Sequence, residues 1–358
     1  MHHAAMLLAA FAATSSAYPG WSAPGFMDEL YARAGSISDQ PLGDLATLPD
    51  SSLSQTGKDI KNILTTSASG QSTDQYQGAV PALGSKECAA DKCCVWKHIG
   101  DELATKFADG SGCTQPARAA VRLGFHDASG WSIATGPGGG ADGSIVLAPA
   151  EIKRALNEGL QDAVTQTQTW FNKYKQYGIG MADLIQFAAN SGTVMCPKGP
   201  RVKTLIGRKD SSTACPDGLL PDVNDPVDKL IAIFANKTIS PPGLAALVGA
   251  HTASTQKTVD PARAGAPQDT TPAVWDTLFY SQTLAGAPSN VFTFNSDKVL
   301  SQDSRSGPAF KAFADSQPAW NVAFSREYLR LSLLGVDNIN ELTDCTKSLP
   351  VPKWLELC

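Results

Sequence analysis

From Cys88 onward, apolar residues recur at the 3.6-residue spacing of amphipathic α-helices, and few stretches alternate as strands do. Glycine and proline separate these periodic stretches and mark the connecting loops. The pattern predicts a mainly α fold, and a hydrophobic content of 42% is enough to fill a substantial core. Helices are predicted over residues 92–107, 115–127, 151–174, 181–190, 226–235, 241–254, 272–279 and 309–334.

The first twenty residues, MHHAAMLLAAFAATSSAYPG, have a weakly basic start, an apolar run from Met6 to Ala13, and small residues at Ser15 and Ala17. This arrangement is typical of a secretory signal peptide, here residues 1–17, cleaved after Ala17. Its apolar run is too short to span a bilayer, and no later stretch reaches the roughly 18 apolar residues that a membrane helix needs. We therefore expect a secreted protein with no membrane anchor.

All eight cysteines follow that predicted signal peptide, and an even number in an exported chain favours disulfides over zinc ligands or free thiols. The sequon Asn236-Lys237-Thr238 is an N-glycosylation acceptor and fits the same compartment. A net charge of -5, without a long run of one sign, argues against a nucleic-acid partner and predicts an acidic, soluble surface.

Residues 18–87 are rich in serine, threonine, glycine, aspartate and glutamine, as in the stretch TTSASGQSTDQYQG. Only a short helix-like piece, from Asp59 to Leu64, interrupts this composition. Such a segment buries little apolar surface, so it is predicted to be an extended or partly disordered N-terminal extension, one that either wraps the main domain or is removed. The main domain is then expected to span residues 88–358.

The stretch RLGFHDASGW, residues 122–131, places Arg122 and His126 four positions apart, on one face of a predicted helix. Such a pair alone arises often by chance. Asp127 follows directly, and the stretch GPGGGADGS adds Asp142 and Ser144 among small residues that leave main-chain carbonyls free. Carboxylate, hydroxyl and carbonyl oxygens are the ligands that Ca²⁺ prefers. Taken by itself, this loop is equally compatible with a plain glycine-rich turn.

A second histidine, His251, lies in the apolar stretch LAALVGAHTAS. A lone histidine on an apolar helix is more often a core residue than a metal ligand. Thr252 follows it immediately, however, just as Asp127 follows the first histidine. The stretch QDTTPAVWD then supplies a second set of oxygen ligands: Asp269, Thr271 and Asp276.

Four motifs, RLGFHD, GGGADGS, GAHT and DTTPAVWD, occur in this order along the chain. As a set, they closely resemble the secreted fungal haem peroxidases of class II, the group of the lignin, manganese and versatile peroxidases. The resemblance covers roughly residues 88–350 and implies a plant/fungal-type haem peroxidase fold, in which two helical lobes enclose one haem b. It also implies a monomeric enzyme that uses H₂O₂ to oxidise small phenolic or aromatic reductants.

The resemblance implies a role for each residue around the haem. His251 matches the histidine that ligates the haem iron, and Asp297 matches the carboxylate that accepts the N–H of that ligand. On the opposite, distal face, His126 matches the base that moves the peroxide proton, and Arg122 matches the cation that stabilises charge as the O–O bond breaks. Three further matches complete the distal pocket: Asn157 as the amide that orients the base, Glu151 as the carboxylate that supports this network, and Phe125 as the aromatic wall.

Two structural Ca²⁺ ions are implied in the same way. The ligands of the distal ion would be Asp127, Gly140, Asp142 and Ser144. The ligands of the proximal ion would be Thr252, Asp269, Thr271, the carbonyl of Val274, and Asp276. Each ion would hold the residue next to a haem-facing histidine.

The resemblance also implies three disulfides, which join Cys88 to Cys94, Cys93 to Cys345 and Cys113 to Cys196. The chain lacks the family's usual cysteine near Pro308. Cys215 and Cys358 are left over, and they are predicted to pair with each other.

The chain departs from the best-known class II enzymes at the positions where electrons enter. Manganese oxidisers carry three carboxylates at the positions of Gln115, Ala119 and Lys257, so efficient Mn(II) oxidation is not expected. Lignin and versatile peroxidases carry a surface tryptophan at the position of Ala246. Phenols and dyes oxidised at the haem edge remain as the predicted donors. Gln268 replaces a proximal phenylalanine, and a polar group there can alter the iron potential.

Two alternatives stay open at this stage. A secreted, calcium-stabilised binding protein could keep this fold and lose the activity, although the complete set of Arg122, His126, Asn157, His251 and Asp297 argues against it. Three tryptophans could relay electrons, although core packing is their commoner role: Trp131, Trp170 and Trp275.

Overall fold

The structure, a computed structural model, describes residues 38–351. These residues form thirteen α-helices, several short 3₁₀ turns and two small antiparallel strand pairs, so the predicted mainly α fold is confirmed. Strand β1 (Ala108–Asp109) pairs with β2 (Gly112–Cys113), and β3 (Leu205–Ile206) pairs with β4 (Thr343–Asp344). Within the described residues, no helix combines the length and the apolar character needed to cross a membrane. The predicted signal peptide, residues 1–17, lies outside this range.

Hydroxyl side chains start several helices by accepting a hydrogen bond from an amide of the first turn, as Thr114 does. Ser54, Ser85, Ser240 and Ser316 do the same for four other helices. In chain order the helices are α1 (Gln55–Thr65), α2 (Lys86–Ala90), α3 (Cys94–Phe107), α4 (Gln115–Ala128), α5 (Ser144–Leu147), α6 (Gln161–Tyr174), α7 (Met181–Met195), α8 (Val227–Ala235), α9 (Pro241–Val248), α10 (Leu278–Ala285), α11 (Asn295–Gln302), α12 (Gly307–Ala314) and α13 (Gln317–Leu331).

Two groups of helices carry the two histidines. In the first group, α4 packs along α7, with α3 and α6 beside them. Glycine permits this close approach, because a Cβ atom on Gly124 would lie 2.6 Å from the Cβ of Ala189, and one on Gly192 would lie 2.5 Å from the carbonyl oxygen of Ala117. In the second group, α9 packs against α12 and α13, and α10 contacts α11 and α12. The first group therefore holds Arg122 and His126, and the second holds Asp297 and leads into the turn of His251.

Two long predicted helices are interrupted. In the segment 151–174, Gly159 adopts a φ of +84°, a conformation that ends helical structure, so α6 begins only at Gln161. The preceding residues form turns that end in the 3₁₀ segment Ala155–Asn157. The segment 309–334 divides at Ser316, whose hydroxyl caps α13. Both breaks depend on local turn chemistry that the apolar spacing does not record.

The proximal elements also differ from prediction. Helix α9 ends at Val248, and the chain continues as the 3₁₀ segment Gly249–Ala253, so His251 lies on a tight turn. Most of the predicted helix 272–279 is a loop, and α10 begins only at its end. Helix α11, which was not predicted, carries Asp297.

The expectation that the N-terminal extension buries little surface is wrong for residues 38–87. Its few apolar residues lie at helical spacing, and α1 buries Ile60 and Leu64 within the main core. The buried Arg330 of α13 donates to the carbonyl oxygens of Ser38, at 2.6 Å, and Leu64, at 2.5 Å. Composition does not reveal these main-chain bonds. Residues 18–37 lie outside the described part of the chain.

The three disulfides implied by the resemblance are confirmed, namely Cys88–Cys94, Cys93–Cys345 and Cys113–Cys196. Among the described residues Cys215 is a free, buried thiol, and its predicted partner, Cys358, lies outside them. The sulfur of Cys215 is 3.1 Å from a carboxylate oxygen of Glu151 and 3.1 Å from a guanidinium nitrogen of Arg154.

Candidate active site

Helix α4 presents His126 close to its C-terminal end. Nδ1 of this ring lies 2.9 Å from Oδ1 of Asn157. Because an amide oxygen only accepts hydrogen bonds, Nδ1 carries the proton and the lone pair of Nε2 remains available. Burial, together with the charge of Arg122, lowers the pKa of His126 to about 3. The imidazole is therefore neutral at neutral pH and can accept a proton.

The Arg122 side chain, one turn earlier on α4, extends toward the residues that follow Asn157. Its Nη2 donates to the carbonyl oxygen of Glu158 at 2.9 Å. Gly159 leaves room for the guanidinium, because a Cβ atom there would lie 3.2 Å from Nη1. Burial lowers the pKa of Arg122, yet the side chains of Arg122 and His126 both retain accessible surface.

An aromatic contact joins α4 to α8 beside the distal histidine. Phe125 stacks on Phe234, with ring centroids 6.3 Å apart, and meets His126 edge-on at 5.6 Å. Phe125 is half-buried, so part of its ring remains accessible beside His126. The position of Phe234 on the opposite helix follows from tertiary packing and has no motif in the sequence.

Asn157 is held by its own turn. Its Nδ2 donates to the main-chain carbonyl of Glu151 at 2.8 Å, and both residues are buried. The resemblance implied that the carboxylate of Glu151 supports Asn157. Instead, its carboxylate oxygens accept from the main-chain N–H of Cys215, at 2.9 Å, and from the thiol, at 3.1 Å. Glu151 therefore reaches Asn157 through its main chain, and its side chain faces Cys215.

His251 faces Asp297 of α11. Its Nδ1 lies 3.0 and 3.1 Å from the two carboxylate oxygens, and Asp297 is fully buried. The carboxylate accepts the Nδ1 proton, so Nε2 is free to bind a metal. Phe279 and Phe294 meet the imidazole edge-on, with centroids 5.8 and 5.4 Å away. The side chain of His251 keeps 32% of its surface accessible.

The five predicted ligands of the proximal cation lie together. Oγ1 of Thr252 is 2.5 Å from Oδ2 of Asp269 and 3.4 Å from the carbonyl oxygen of Val274. Oγ1 of Thr271 lies 3.3 Å from Oδ1 of Asp269 and 3.2 Å from both carboxylate oxygens of Asp276. Burial raises the pKa of Asp269 to about 6, and the charge of Asp276 adds to the shift. A cation among these oxygens would relieve this repulsion.

The predicted distal ligands also share one region. Asp127 accepts from the amide of Gly143 at 3.2 Å, and the amide of Asp142 donates to the carbonyl oxygen of Gly140 at 2.8 Å. In the described structure, the hydroxyl of Ser144 is buried without a hydrogen-bond partner. Burial, and then the charge of Asp142, raise the pKa of Asp127 well above its ordinary value. Repelling carboxylates beside an unpartnered hydroxyl form a donor set that suits Ca²⁺.

Sequence reasoning missed a buried lysine that follows α8 and contacts the residues just after α4. Nζ of Lys237 donates to the carbonyl oxygens of Ser129, at 2.9 Å, and Trp131, at 2.6 Å. Lys237 is fully buried, and this burial lowers its pKa to about 8. In the sequence it appears only as the middle residue of a glycosylation sequon, so no signal marked it.

Comparison with known proteins agrees with this geometry. Residues 99–316 match the family model described as Peroxidase. The chain is 32% identical over 295 residues to the Peroxidase of Arthromyces ramosus, across 76% of this chain and 80% of that protein. It is 32% identical to Versatile peroxidase VPS1 of Pleurotus eryngii, across 75% of this chain and 77% of that protein. It is 31% identical to Manganese peroxidase 2 of Phlebia radiata, across 73% of each. The chain therefore belongs to the peroxidase family.

Proposed function

We propose that this peroxidase uses one haem b, with His251 as the iron ligand and His126 as the base on the opposite face. One observation carries the proposal. Each histidine bonds an oxygen acceptor through Nδ1 and keeps Nε2 free. Half-buried Phe125 beside His126 offers an apolar contact to a porphyrin, while Phe279 and Phe294 pack edge-on against the His251 imidazole and hold its ring. A histidine backed by a buried carboxylate is a ligand that suits haem iron, so the residues fit the cofactor.

The bound haem would supply the redox chemistry, taking up the oxidising equivalents of H₂O₂ and passing them to reductants. His126 accepts a proton from one peroxide oxygen through Nε2 and returns it to the other oxygen, which leaves as water. Asn157 keeps the ring proton on Nδ1, so that Nε2 remains the acceptor. Arg122 places a positive charge beside the departing oxygen. Asp297 accepts a hydrogen bond from Nδ1 of His251, and this bond makes the imidazole a stronger electron donor.

We propose two Ca²⁺ ions as structural supports of these histidines. Asp127 directly follows His126, and Thr252 directly follows His251. Adjacent residues point about 100° apart on an α-helix and about 120° apart on a 3₁₀ turn, so an ion that holds one side chain fixes the direction of the next. The clustered oxygens of both sites support this role.

The proposed donors are phenols and related aromatic compounds rather than Mn(II). Gln115 and Lys257 are exposed but are not carboxylates, and Ala119 offers no ligand at all. Ala246 is fully buried, so this position has no surface side chain to relay electrons. Trp275 is also fully buried, which fits a packing role.

Steady-state assays of the holoenzyme test this donor preference. At the same H₂O₂ concentration, we expect kcat/KM for a phenol to exceed that for Mn(II) by at least about 100-fold. Losing a residue that only supports a metal ligand costs up to about 100-fold, and this chain lacks the ligands themselves. A triple variant, Gln115→Glu, Ala119→Glu and Lys257→Asp, is the matched control and should gain Mn(II) oxidation. Comparable rates for the two donors in the natural enzyme would contradict the proposal.

Secretion of a monomeric, glycosylated enzyme belongs to the same proposal. Three disulfides within the described residues support an oxidising compartment, and Asn236 of the sequon is exposed at the end of α8. Protein recovered from the culture medium should begin at Tyr18, and a glycosidase should reduce its mass at Asn236.

A further inference from the structure

Cys215, in the loop between β3 and α8, bonds to the turn that carries Asn157. Its main-chain N–H donates to Oε2 of Glu151 at 2.9 Å, and its thiol donates to Oε1 at 3.1 Å. Arg154, in the middle of the same turn, donates from Nη1 to the sulfur at 3.1 Å and from Nη2 to the carbonyl oxygen of Cys215. Four hydrogen bonds therefore attach Cys215 to the turn 151–157.

The opposite side of Cys215 packs on Gly130, two residues beyond α4. A Cβ atom on Gly130 would lie 2.7 Å from the sulfur and 2.8 Å from the Cβ of Cys215. Lys237 holds the residues on either side of Gly130, because its ammonium bonds the carbonyls of Ser129 and Trp131. The segment 129–131 is thus pressed against Cys215 and cannot shift without breaking charge-assisted hydrogen bonds.

Cys215 therefore lies between helix α4 and the turn 151–157, whose side chains meet at His126. Helix α4 supplies His126 and the turn 151–157 supplies Asn157, and these two side chains are joined by a hydrogen bond of 2.9 Å. Asn157 is tied in turn to the main chain of Glu151 at 2.8 Å. A change in the size or hydrogen bonding of residue 215 would move the turn relative to the helix and alter this contact.

The thiol is suited to a protein that handles peroxide. Burial, and then the charge of Glu151, raise the pKa of Cys215 to about 12. The group therefore stays protonated at neutral pH and can donate to the carboxylate. Peroxide oxidises the thiolate rather than the thiol, and access to the sulfur is blocked by Gly130 and Arg154, so Cys215 is protected from oxidation.

We propose that Cys215 is a positioning residue for the reaction with peroxide, because it sets the spacing between α4 and the turn 151–157 and so holds Asn157 on His126. The inference rests on the proposed role of His126 as the distal base. It adds a contact that the known motifs do not contain.

The test compares the holoenzymes of Cys215→Ala and Cys215→Ser with the natural enzyme. We expect kcat/KM for H₂O₂ to fall about tenfold in the alanine variant, the lower end of the range for residues that support a catalytic group, while kcat/KM for the phenolic donor stays unchanged. The serine variant keeps a donor to Glu151 and should recover at least half of the loss. A general structural defect would lower both constants together and would not be rescued by serine.

Two further variants keep the test decisive. Gly130→Ala pushes on Cys215 from the α4 side and should give the same selective loss. Ser325→Ala removes another fully buried hydrogen-bonding group, within α13, and serves as the matched control that should change neither constant. Thermal unfolding followed by circular dichroism shows whether each variant retains the fold.

The outcomes are distinguishable. If the natural enzyme consumes H₂O₂ through His126, but Cys215→Ala changes kcat/KM for H₂O₂ by less than about twofold, the role of Cys215 is overturned and the proposed function stands. Equal loss in both constants, without rescue by serine, overturns it as well. If replacing His126 itself has no effect, the proposed function fails first.

Discussion

Replacing His126 with leucine is expected to slow the reaction of the holoenzyme with H₂O₂ by about 10² to 10⁴ fold, the usual worth of a positioned general base. Leucine fills the space beside Phe125 but cannot accept a proton, and the remaining distal group, Arg122, is a cation that cannot replace the base. Haem content should not change, because the proposed iron ligand is His251. Stopped-flow absorbance in the Soret region, on mixing with H₂O₂, measures the rate.

His98→Leu is the matched control for this variant. His98 is a partly buried histidine whose Nε2 lies 2.8 Å from the carbonyl oxygen of Pro81, in a different part of the fold. Its replacement should leave the rate with H₂O₂ unchanged. Because the pKa of His126 is lowered to about 3, the natural enzyme should also keep its rate from neutral pH down to about pH 4 and lose it as the base is protonated. An unchanged rate in His126→Leu would remove this residue from the mechanism.

Removing Ca²⁺ with a chelator is expected to lower the unfolding temperature by on the order of 10 °C and to abolish activity. Each ion, at a free concentration about 100 times its dissociation constant, stabilises the fold by about 2.7 kcal/mol. Without the ions, the carboxylates around Asp127 and Asp269 repel one another in buried surroundings. Differential scanning calorimetry with and without the chelator measures the effect, and readdition of Ca²⁺ should reverse it.

The pH dependence of this stabilisation has a defined sign. In the ion-free protein, the pKa values of Asp127, Asp142 and Asp269 are raised above those of the unfolded chain. The contribution of these groups to stability is therefore lost as pH rises through their pKa values in the folded protein, about 6 for Asp269. Ion binding requires the deprotonated carboxylates. The difference in unfolding temperature between loaded and chelated enzyme should therefore shrink as pH falls from about 7 to about 5.

A single-site variant separates the two ions. Asp269→Asn should remove roughly half of the Ca²⁺-dependent stabilisation, because one of two sites is lost. Asp337→Asn breaks only the exposed ion pair with Lys209 and serves as the control, with an expected effect near zero. Full activity and an unchanged unfolding temperature after complete chelation would refute the supporting role of the ions.

The sequence predicts the chemistry of this protein better than its element boundaries. The motifs bring Arg122 and His126 onto one helix and His251 against Asp297, and the structure has both arrangements, while the roles of these residues stay predictions. The predicted boundaries are wrong where a single residue ends or divides a helix. Gly159 interrupts one predicted helix through a positive φ, and Ser316 divides another by capping α13. Periodicity averages over ten or more residues, so it does not detect such single-residue breaks.

The contacts around Cys215 illustrate a second limit. Glu151 and Cys215 are far apart in the sequence, and their bond forms only when two loops meet in the folded chain. Counting cysteines predicted a fourth disulfide with Cys358, which lies outside the described residues, but it gave no sign that Cys215 packs on Gly130 and hydrogen-bonds Glu151. Composition also underestimated how firmly residues 38–87 are attached to the main domain. Buried Arg330 donates hydrogen bonds to main-chain carbonyls of this segment, and such bonds do not depend on its side chains. Tertiary hydrogen bonds of this kind leave no local pattern.

A crystal structure of the haem-loaded enzyme, with the iron located by its anomalous scattering, tests the proposed assignment of the two histidines most directly. We predict one iron per chain bonded to Nε2 of His251, with the porphyrin ring lying between this imidazole and that of His126. An iron bound to any other side chain, or a porphyrin that leaves both imidazoles on one side of its plane, would contradict the proposed site.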